Sequence, residues 1–180
     1  NGQNSVNGKQ AKLLFSDGKK QVVDIKEMNE AGVGDLVTYT KNSSNEYTLK
    51  KADTTNAKNT GFDKIVDVST GYTPANKDVS SGKIKYIKGD VIADDAIVFV
   101  HDTDGDKVIS GAQLKRLAPT NITVKIAYAD ENSSNGYDTV KLAYITSGSK
   151  VKSGDSKYGY VVAKPGVVEN KDGDKVVELQ

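Results

Sequence analysis

Three aspartates, Asp102, Asp104 and Asp106, have the alternate spacing of a metal-binding loop. A calcium loop of the EF-hand type takes oxygen ligands from positions 1, 3 and 5, a glycine at position 6 and a bidentate glutamate at position 12. Counted from Asp102, position 6 is Lys107, position 12 is Gln113, and the glycine falls at position 4. Because hairpin turns favour Asp and Gly for backbone reasons, we expect TDGD to form a turn, with calcium coordination as the alternative. We assign no metal ligand and no cofactor.

The other candidates for catalytic chemistry are the sole histidine, His101, and the neighbouring pair Asp94 and Asp95. A catalytic histidine needs a nucleophile and an orienting acid near it in space, and no GxSxG motif supplies the nucleophile. Two carboxylates must flank one bond to cleave a glycoside, whereas adjacent strand residues lie on opposite faces. We expect His101 at a surface turn and the two aspartates in a turn or bulge. We assign no catalytic residue and predict that the chain is not an enzyme.

Two pairs of tyrosines flank the two NSSN turns of the chain, Tyr39 with Tyr47 and Tyr128 with Tyr137. Proteins that stack ligands on aromatic rings usually gather several rings on one platform. The chain has no tryptophan. We therefore expect cross-strand pairs, each stabilising its sheet by about 0.2–1 kcal/mol, with a sugar-stacking face as the alternative.

A lysine excess follows residue 140, and Asp138 and Asp155 dilute its charge. Contact with anionic wall polymers is one interpretation. A solvated linker is the interpretation we favour. The lysines concerned are Lys141, Lys150, Lys152 and Lys157.

The overall composition excludes several classes of function. With 25 basic and 24 acidic residues the formal charge is +1, which gives no electrostatic footprint for nucleic acid or an anionic membrane. Arg116 is the sole arginine, and the absence of cysteine excludes disulfides and zinc–thiolate sites. No apolar run reaches the roughly 18 residues of a membrane-spanning helix.

The apolar residues indicate the fold class. Valine (21) and isoleucine (10) far outnumber leucine (8) and methionine (1). Because β-branched residues lose rotamer freedom in helices and pack well on pleated sheets, we predict an all-β chain. We expect two small β-barrel or curled-sheet subdomains, similar to OB or SH3 folds, with one short helix at 111–118 before Pro119.

Turn signals divide the chain into strands. Residues 11–52 contain a hairpin around Asp17-Gly18 and two later strands at 35–41 and 46–52, which we interpret as a four-stranded meander. Residues 26–32 form at most one helical turn. The second subdomain should contain strands at 62–69, 83–88, 91–102, 107–110, 121–130 and 137–145. A last hairpin is expected around Asp172-Gly173.

The chain also repeats parts of itself. VTYTKNSSNEYTLK (37–50) is similar to IAYADENSSNGYDTVKL (126–142), and VNGKQAKLLFSDG (6–18) is similar to KDGDKVVELQ (171–180). The second similarity predicts that the chain starts partway through one module and ends at the matching point of the next.

Four segments together resemble the repeated extracellular β-modules of Gram-positive cell-surface proteins that carry S-layer homology domains. The segments are LLFSDGKKQVVDI, VGDLVTYT with EYTLKKA, ADDAIVFVHDTDGDKVISGAQLK, and VKLAYI followed by YGYVV. The resemblance covers most of residues 11–164, and it implies a stalk or spacer module exposed on the cell surface or in the cell wall, but nothing about catalysis. Because the chain also offers few residues for general acid–base chemistry, we predict a non-enzymatic structural module. The expected partners are other modules of the same protein and cell-wall polymers. A binding module for wall glycan or a host ligand is the alternative.

The modular pattern sets the expected domain boundaries. Residues 1–52 form a first, incomplete subdomain, 53–60 a linker, and 61–147 a second, complete subdomain. A further linker at 148–157 precedes the opening strands of the next module at 158–180. Because a lone hairpin is marginal in water, we predict that 158–180 closes the first sheet, within one chain or in a strand-swapped dimer.

Overall fold

The computed structural model describes residues 10–52, 55, 57–66, 71–131 and 136–152, together with two later strands. It confirms an all-β fold with one short helix. The strands are β1 (Gln10–Leu14), β2 (Lys20–Asn29), β3 (Val37–Lys41), β4 (Tyr47–Lys51), β5 (Lys64–Val66), β6 (Val79–Ser80), β7 (Lys83–Ile84), β8 (Tyr86–Ile87), β9 (Asp90–Asp102), β10 (Gly105–Ser110), β11 (Ile122–Asp130), β12 (Thr139–Ser147), β13 (Gly166–Glu169) and β14 (Lys175–Glu178). The helix is α1 (Gly111–Leu114), and 3-10 turns lie at Ala57–Thr60 and Asn76–Asp78.

The first four strands form a small sheet in the order β1-β2-β4-β3. The predicted hairpin around Asp17-Gly18 joins β1 to β2, and Leu13 lies opposite Gln21. Gly18 has a φ of +83°, which a side chain would strain, and the Asp17 carboxylate accepts the Lys19 N–H at 2.9 Å.

Two expectations about this sheet are wrong. The order is not a meander, because β4 lies between β2 and β3 and runs parallel to β2. The buried Tyr47 and Leu49 on β4 explain this, since the more apolar strand takes the central place and the exposed β3 takes the edge. The expected helical turn is also wrong, because β2 continues to Asn29.

The second sheet is larger, with the order β10-β9-β12-β11-β5, and β8 pairs with the start of β9. β9 is 13 residues long and runs antiparallel to β10 but parallel to β12. The predicted turn between β9 and β10 is formed, with Asp102 opposite Gly105. The hairpin thus brings the TDGD segment to one end of this sheet.

The strand expected at 83–88 is divided in two. β7 pairs with β6, whereas β8 pairs with β9. Lys85 separates them, and its N–H donates to the Asp78 carbonyl oxygen at 2.7 Å instead of to a strand. A backbone bond to the 3-10 turn therefore ends one strand and redirects the chain into the next.

Helix α1 is shorter than the 111–118 segment suggested, because Arg116 and Leu117 bond to carbonyls three residues back. A capping box between Ser110 and Gln113 starts the helix. A side chain at Gly111 would place its Cβ 1.8 Å from the Ala93 carbonyl oxygen, so only glycine fits. This contact packs the helix tightly against β9.

Two apolar cores result. The larger contains 21 buried residues and includes Tyr128, Leu114 and the central residues of β9, β11 and β12. Among the described residues, the smaller contains Val23, Ile25, Tyr47 and Leu49. Leu36 packs against the larger core and its carbonyl oxygen accepts the Ala52 N–H at 2.9 Å, so the small sheet is tied to the large one.

The predicted hairpin at the end of the chain is present as strands β13 and β14, with Val167 opposite Val177 and Val168 opposite Val176. The YGYVV segment at 158–162 and residues 153–157 of the predicted linker lie outside the described residues, as does the contact predicted between 158–180 and the first sheet. The boundaries of the proposed domains stay predictions.

Candidate functional site: an inter-sheet cavity and a buried carboxylate

The Asp102 carboxylate is fully buried and is occupied by protein donors. Its Oδ1 accepts the Asp104 N–H at 2.8 Å, and its Oδ2 accepts the Val151 N–H at 2.6 Å. The Lys107 ammonium lies 2.8 Å from the same Oδ2. These donors bind the carboxylate oxygens that would coordinate the metal in a calcium loop.

The other two aspartates of the triplet turn away from Asp102. Asp104 pairs with Lys150, and the Asp106 Oδ1 lies 2.8 Å from the His101 Nδ1. His101 is exposed, at the end of β9. In the described part of the chain, no group of three or more His, Cys, Asp or Glu side chains could hold a metal ion.

Burial raises the pKa of the Asp102 carboxyl, but hydrogen bonds from Lys107, Val151 and Asp104 outweigh it and leave the pKa below 3.8. The carboxylate is therefore ionised at neutral pH. Lys107 also donates to the Val151 carbonyl oxygen at 2.9 Å. We call Asp102, Lys107 and Val151 the clasp, because the two side chains hold both backbone groups of Val151.

Asp94 and Asp95 lie in a bulge of β9. Where β9 pairs with β12, Val140 lies opposite Ile92, but Leu142 lies opposite Ile97. The extra residues on β9 form the bulge. The bulge expected at this pair is therefore confirmed, and both aspartates are exposed. Each has a lysine partner: Lys115 lowers the pKa of Asp94 through a hydrogen bond, and Lys141 lies 3.4 Å from Asp95.

A three-residue ion cluster was not foreseen from the sequence. Lys64 on β5 contacts Asp138, and its Nζ lies 3.2 Å from the Asp90 Oδ2. The hydrogen bond with Asp138 is the main reason that the pKa of Lys64 is raised, although partial burial opposes it. The three residues lie far apart in the chain, so only the pairing of strands could reveal the cluster.

Asp78 is a second buried carboxylate that the sequence did not single out. Its Oδ1 accepts the Gly89 N–H at 2.8 Å, and its Oδ2 accepts the Tyr72 hydroxyl. Both donors belong to irregular segments around β6 to β8. Asp78 therefore fixes the loops that cover one end of the larger core.

The aromatic pairs differ between the two sheets. The predicted pair of Tyr39 and Tyr47 is confirmed, with ring centroids 5.4 Å apart, and Phe15 packs on both rings. Tyr128 is buried, and its ring stacks on Phe62 at 5.5 Å. The pairing of Tyr128 with Tyr137 stays a prediction.

A cavity of about 610 Å³ lies between the two sheets. One wall comes from β1, the 31–37 segment and the small core, and the opposite wall comes from Phe99, Val100, Asp106 and Tyr144. Burial is the main reason that the pKa of Tyr144 is raised, followed by the charges of Asp106 and Asp35. The cavity therefore has an apolar interior beside two carboxylates, and its volume is that of a typical ligand site.

Comparisons with family models, curated proteins and solved structures find no match for the chain. Among the described residues, no helix is long and apolar enough to span a bilayer.

Proposed function

We propose that the chain is a non-enzymatic structural module that spaces or displays other domains on a bacterial surface. The observation that carries this proposal is the clasp. The side chains with the spacing best suited to chemistry bind the backbone of Val151, at the point where the chain leaves the larger sheet. A spacer needs its exit segment fixed, because the orientation of the following domain depends on it.

The buried environment of the clasp supports the same role. The Val151 side chain is part of the larger core, and the Asp102 side chain has no exposed surface. A buried, fully bonded ion pair specifies one arrangement, since removing either partner leaves the other charge uncompensated. The exit segment is thus held by a contact with a single geometry.

The resemblance to repeated modules of Gram-positive surface proteins supplies the proposed setting. In that setting the module is extracellular, its partners are neighbouring modules of the same protein, and it needs no cofactor. Contact with wall polymers is a further proposal, and the nearly neutral charge of +1 gives no reason to expect a nucleic-acid partner.

Pulsed electron resonance between two spin labels tests the proposal. The chain contains no native cysteine, so Lys125→Cys on β11 and Lys152→Cys beside the clasp place labels at exposed positions without competition. We expect a narrow distance distribution, which Asp102→Asn broadens. The matched control Asp104→Asn removes the same charge from a surface pair and should leave it narrow. A broad distribution in the parent chain would contradict the spacer role.

A binding module is the second candidate, and the inter-sheet cavity is the observation that favours it. The half-exposed Tyr39 ring near the small core adds an aromatic surface. An array of wall glycans probed with the whole chain separates the two candidates. A dose-dependent signal at micromolar concentration would favour binding, and its absence together with a narrow label distribution favours the spacer.

A further inference from the structure

The small sheet leaves apolar surface exposed that the larger sheet does not. Val33, Val22 and Tyr39 are exposed by 86%, 55% and 51%, whereas Tyr137 at 58% is the one such residue described beyond residue 52. Val33 lies in the 31–37 segment that lines the cavity. Of the three, Val33 lines the cavity, and an exposed apolar side chain beside a cavity is typical of a surface that another element covers.

Strand β1 adds an unpaired edge to this surface. In the described part of the chain β1 pairs with β2 on one side only, and all five of its residues line the cavity. An edge strand offers free backbone donors and acceptors that a further strand satisfies. We call this surface, formed by β1, the 31–37 segment and Tyr144, the groove.

In the described part of the chain, strands β13 and β14 form a separate two-stranded ribbon. Strands β13 and β14 pair with each other, and alternate valine pairs lie on opposite faces of the ribbon, Val167–Val177 on one and Val168–Val176 on the other. A two-stranded ribbon is marginal in water on its own. A ribbon of this kind therefore gains stability when a further strand pairs with it.

The ribbon also repeats the hairpin that starts the small sheet. DGDKVVEL at 172–179 matches DGKKQVVDI at 17–25 with one residue omitted. In the first copy the matching strand, β2, is stabilised by β1 on one side and β4 on the other. Strand β14 has the same sequence pattern, and its ribbon would be stabilised in the same way by pairing with an open sheet edge.

The clasp fixes the exit of the chain on β10, the strand that also supplies Asp106 to the cavity. Asp106, which lines the cavity, is adjacent to Lys107, whose ammonium holds the Val151 carbonyl oxygen. The 14 residues from 152 to 165 separate the clasp from β13. Extended, such a segment spans roughly 46 Å, which is longer than a small domain is wide.

We propose that the β13–β14 ribbon of the same chain docks in the groove and adds a strand to the free edge of β1. Docking gives β1 a second strand partner and covers the exposed Val33 of the 31–37 segment. This inference is independent of the spacer role, because it concerns the small sheet, whereas the clasp belongs to the large one.

Hydrogen exchange of the β1 peptide in the full chain tests the proposal. Two double variants, V167D/V177D and V168D/V176D, introduce the same charges on opposite faces of the ribbon and are matched controls for each other. We expect one of them to raise the exchange rate of Gln10–Leu14 by about tenfold or more, as an open edge requires, and the other to have little effect. Loss of protection in both also supports docking, since a free ribbon cannot alter β1.

Unchanged exchange in both variants would overturn the proposal, because the ribbon would then be a free tail. Diluting the protein shows whether the docked ribbon belongs to the same chain or to a second copy. Protection that persists on dilution, with a monomer in sedimentation, supports docking within one chain. Protection that disappears on dilution assigns the groove to a second copy and overturns the assignment to the same chain. Spin labels at residues 125 and 152 respond to the clasp alone, so failure here leaves the spacer proposal standing.

Discussion

The two sheets are built from similar strands but are stabilised differently. The larger surrounds 21 buried residues, and the buried Asp78 and Asp102 tie its loops and its exit segment to it. In the described part of the chain, the smaller sheet buries four apolar residues and leaves three large apolar side chains exposed. Because burial of apolar surface is the main source of stability, the larger sheet should fold alone, whereas the smaller depends on what packs against it.

Matched leucine substitutions should show the largest difference. Leu114 and Leu49 are both almost fully buried, one in each core. We expect Leu114→Ala to lower the free energy of unfolding of the larger sheet by about 3–5 kcal/mol, because a dense core cannot close the cavity. Leu49→Ala should cost about 2 kcal/mol, since the looser small core can collapse around the gap. Denaturant titration, followed by NMR signals from both sheets, measures the loss of stability in each variant. Equal losses would contradict the difference expected between the two cores.

Removing the clasp should have the next largest effect. Asp102→Ala leaves the Lys107 ammonium without its buried partner, so we expect a loss of about 3 kcal/mol of stability. The double variant Asp102→Ala/Lys107→Met should recover part of it, because no uncompensated charge remains. Thermal melts of the two variants and of Asp104→Asn test this. A double variant less stable than Asp102→Ala would mean that the charge of Lys107 is not the cause.

Acid should weaken the larger sheet through the same carboxylate. The folded-state pKa of Asp102 is below the ordinary 3.8, so its stabilisation is fully present above that value. It is lost as the pH falls through the lowered folded-state pKa. We expect the stability of the parent chain to fall more steeply below pH 3.8 than that of Asp102→Asn. Chemical denaturation over this pH range provides the slopes, and identical slopes would exclude Asp102 as the group responsible.

The smallest effect is expected at Tyr39. Its ring packs on Phe15 and Tyr47 but remains half exposed, so Tyr39→Ala should cost about 0.5–1 kcal/mol, confined to the small sheet. Tyr137→Ala is the comparison at a similarly exposed tyrosine. NMR of the Tyr47 ring during denaturation reports the change. A loss above 2 kcal/mol would show that the small sheet is more tightly packed than its core suggests.

Local sequence signals predicted the parts of the fold that depend on neighbouring residues. Asp17-Gly18 and the TDGD segment both form the expected hairpins, because these turns need residues that tolerate a positive φ. The all-β class followed equally from the excess of valine and isoleucine. Pro119 correctly limited the helix, although α1 ends earlier, at Leu114.

Features that join distant segments could not be predicted in this way. The parallel pairing of β2 with β4 depends on which strand buries more surface, and nothing in the turn between them indicates it. The Lys64 cluster and the contact of Asp102 with Val151 join residues up to 74 and 49 positions apart. The cavity likewise exists only where two sheets meet. The type of each residue indicated the chemistry that it could perform, whereas its contacts with residues distant in the chain determined its structural role.

The clasp also constrains the order in which parts of the larger sheet fold. Hairpin β9–β10 has a tight turn and can form within microseconds of leaving the ribosome or an export channel. Strand β12 pairs in parallel with β9 across a long intervening segment, so it must be delivered later and at a higher entropic cost. Among the described residues, the last donor to the Asp102 carboxylate is Val151, which is also the last described residue of the larger core. The hydrogen bond that fixes the exit segment therefore forms only after residue 151 has emerged, whereas the β9–β10 hairpin can form before it.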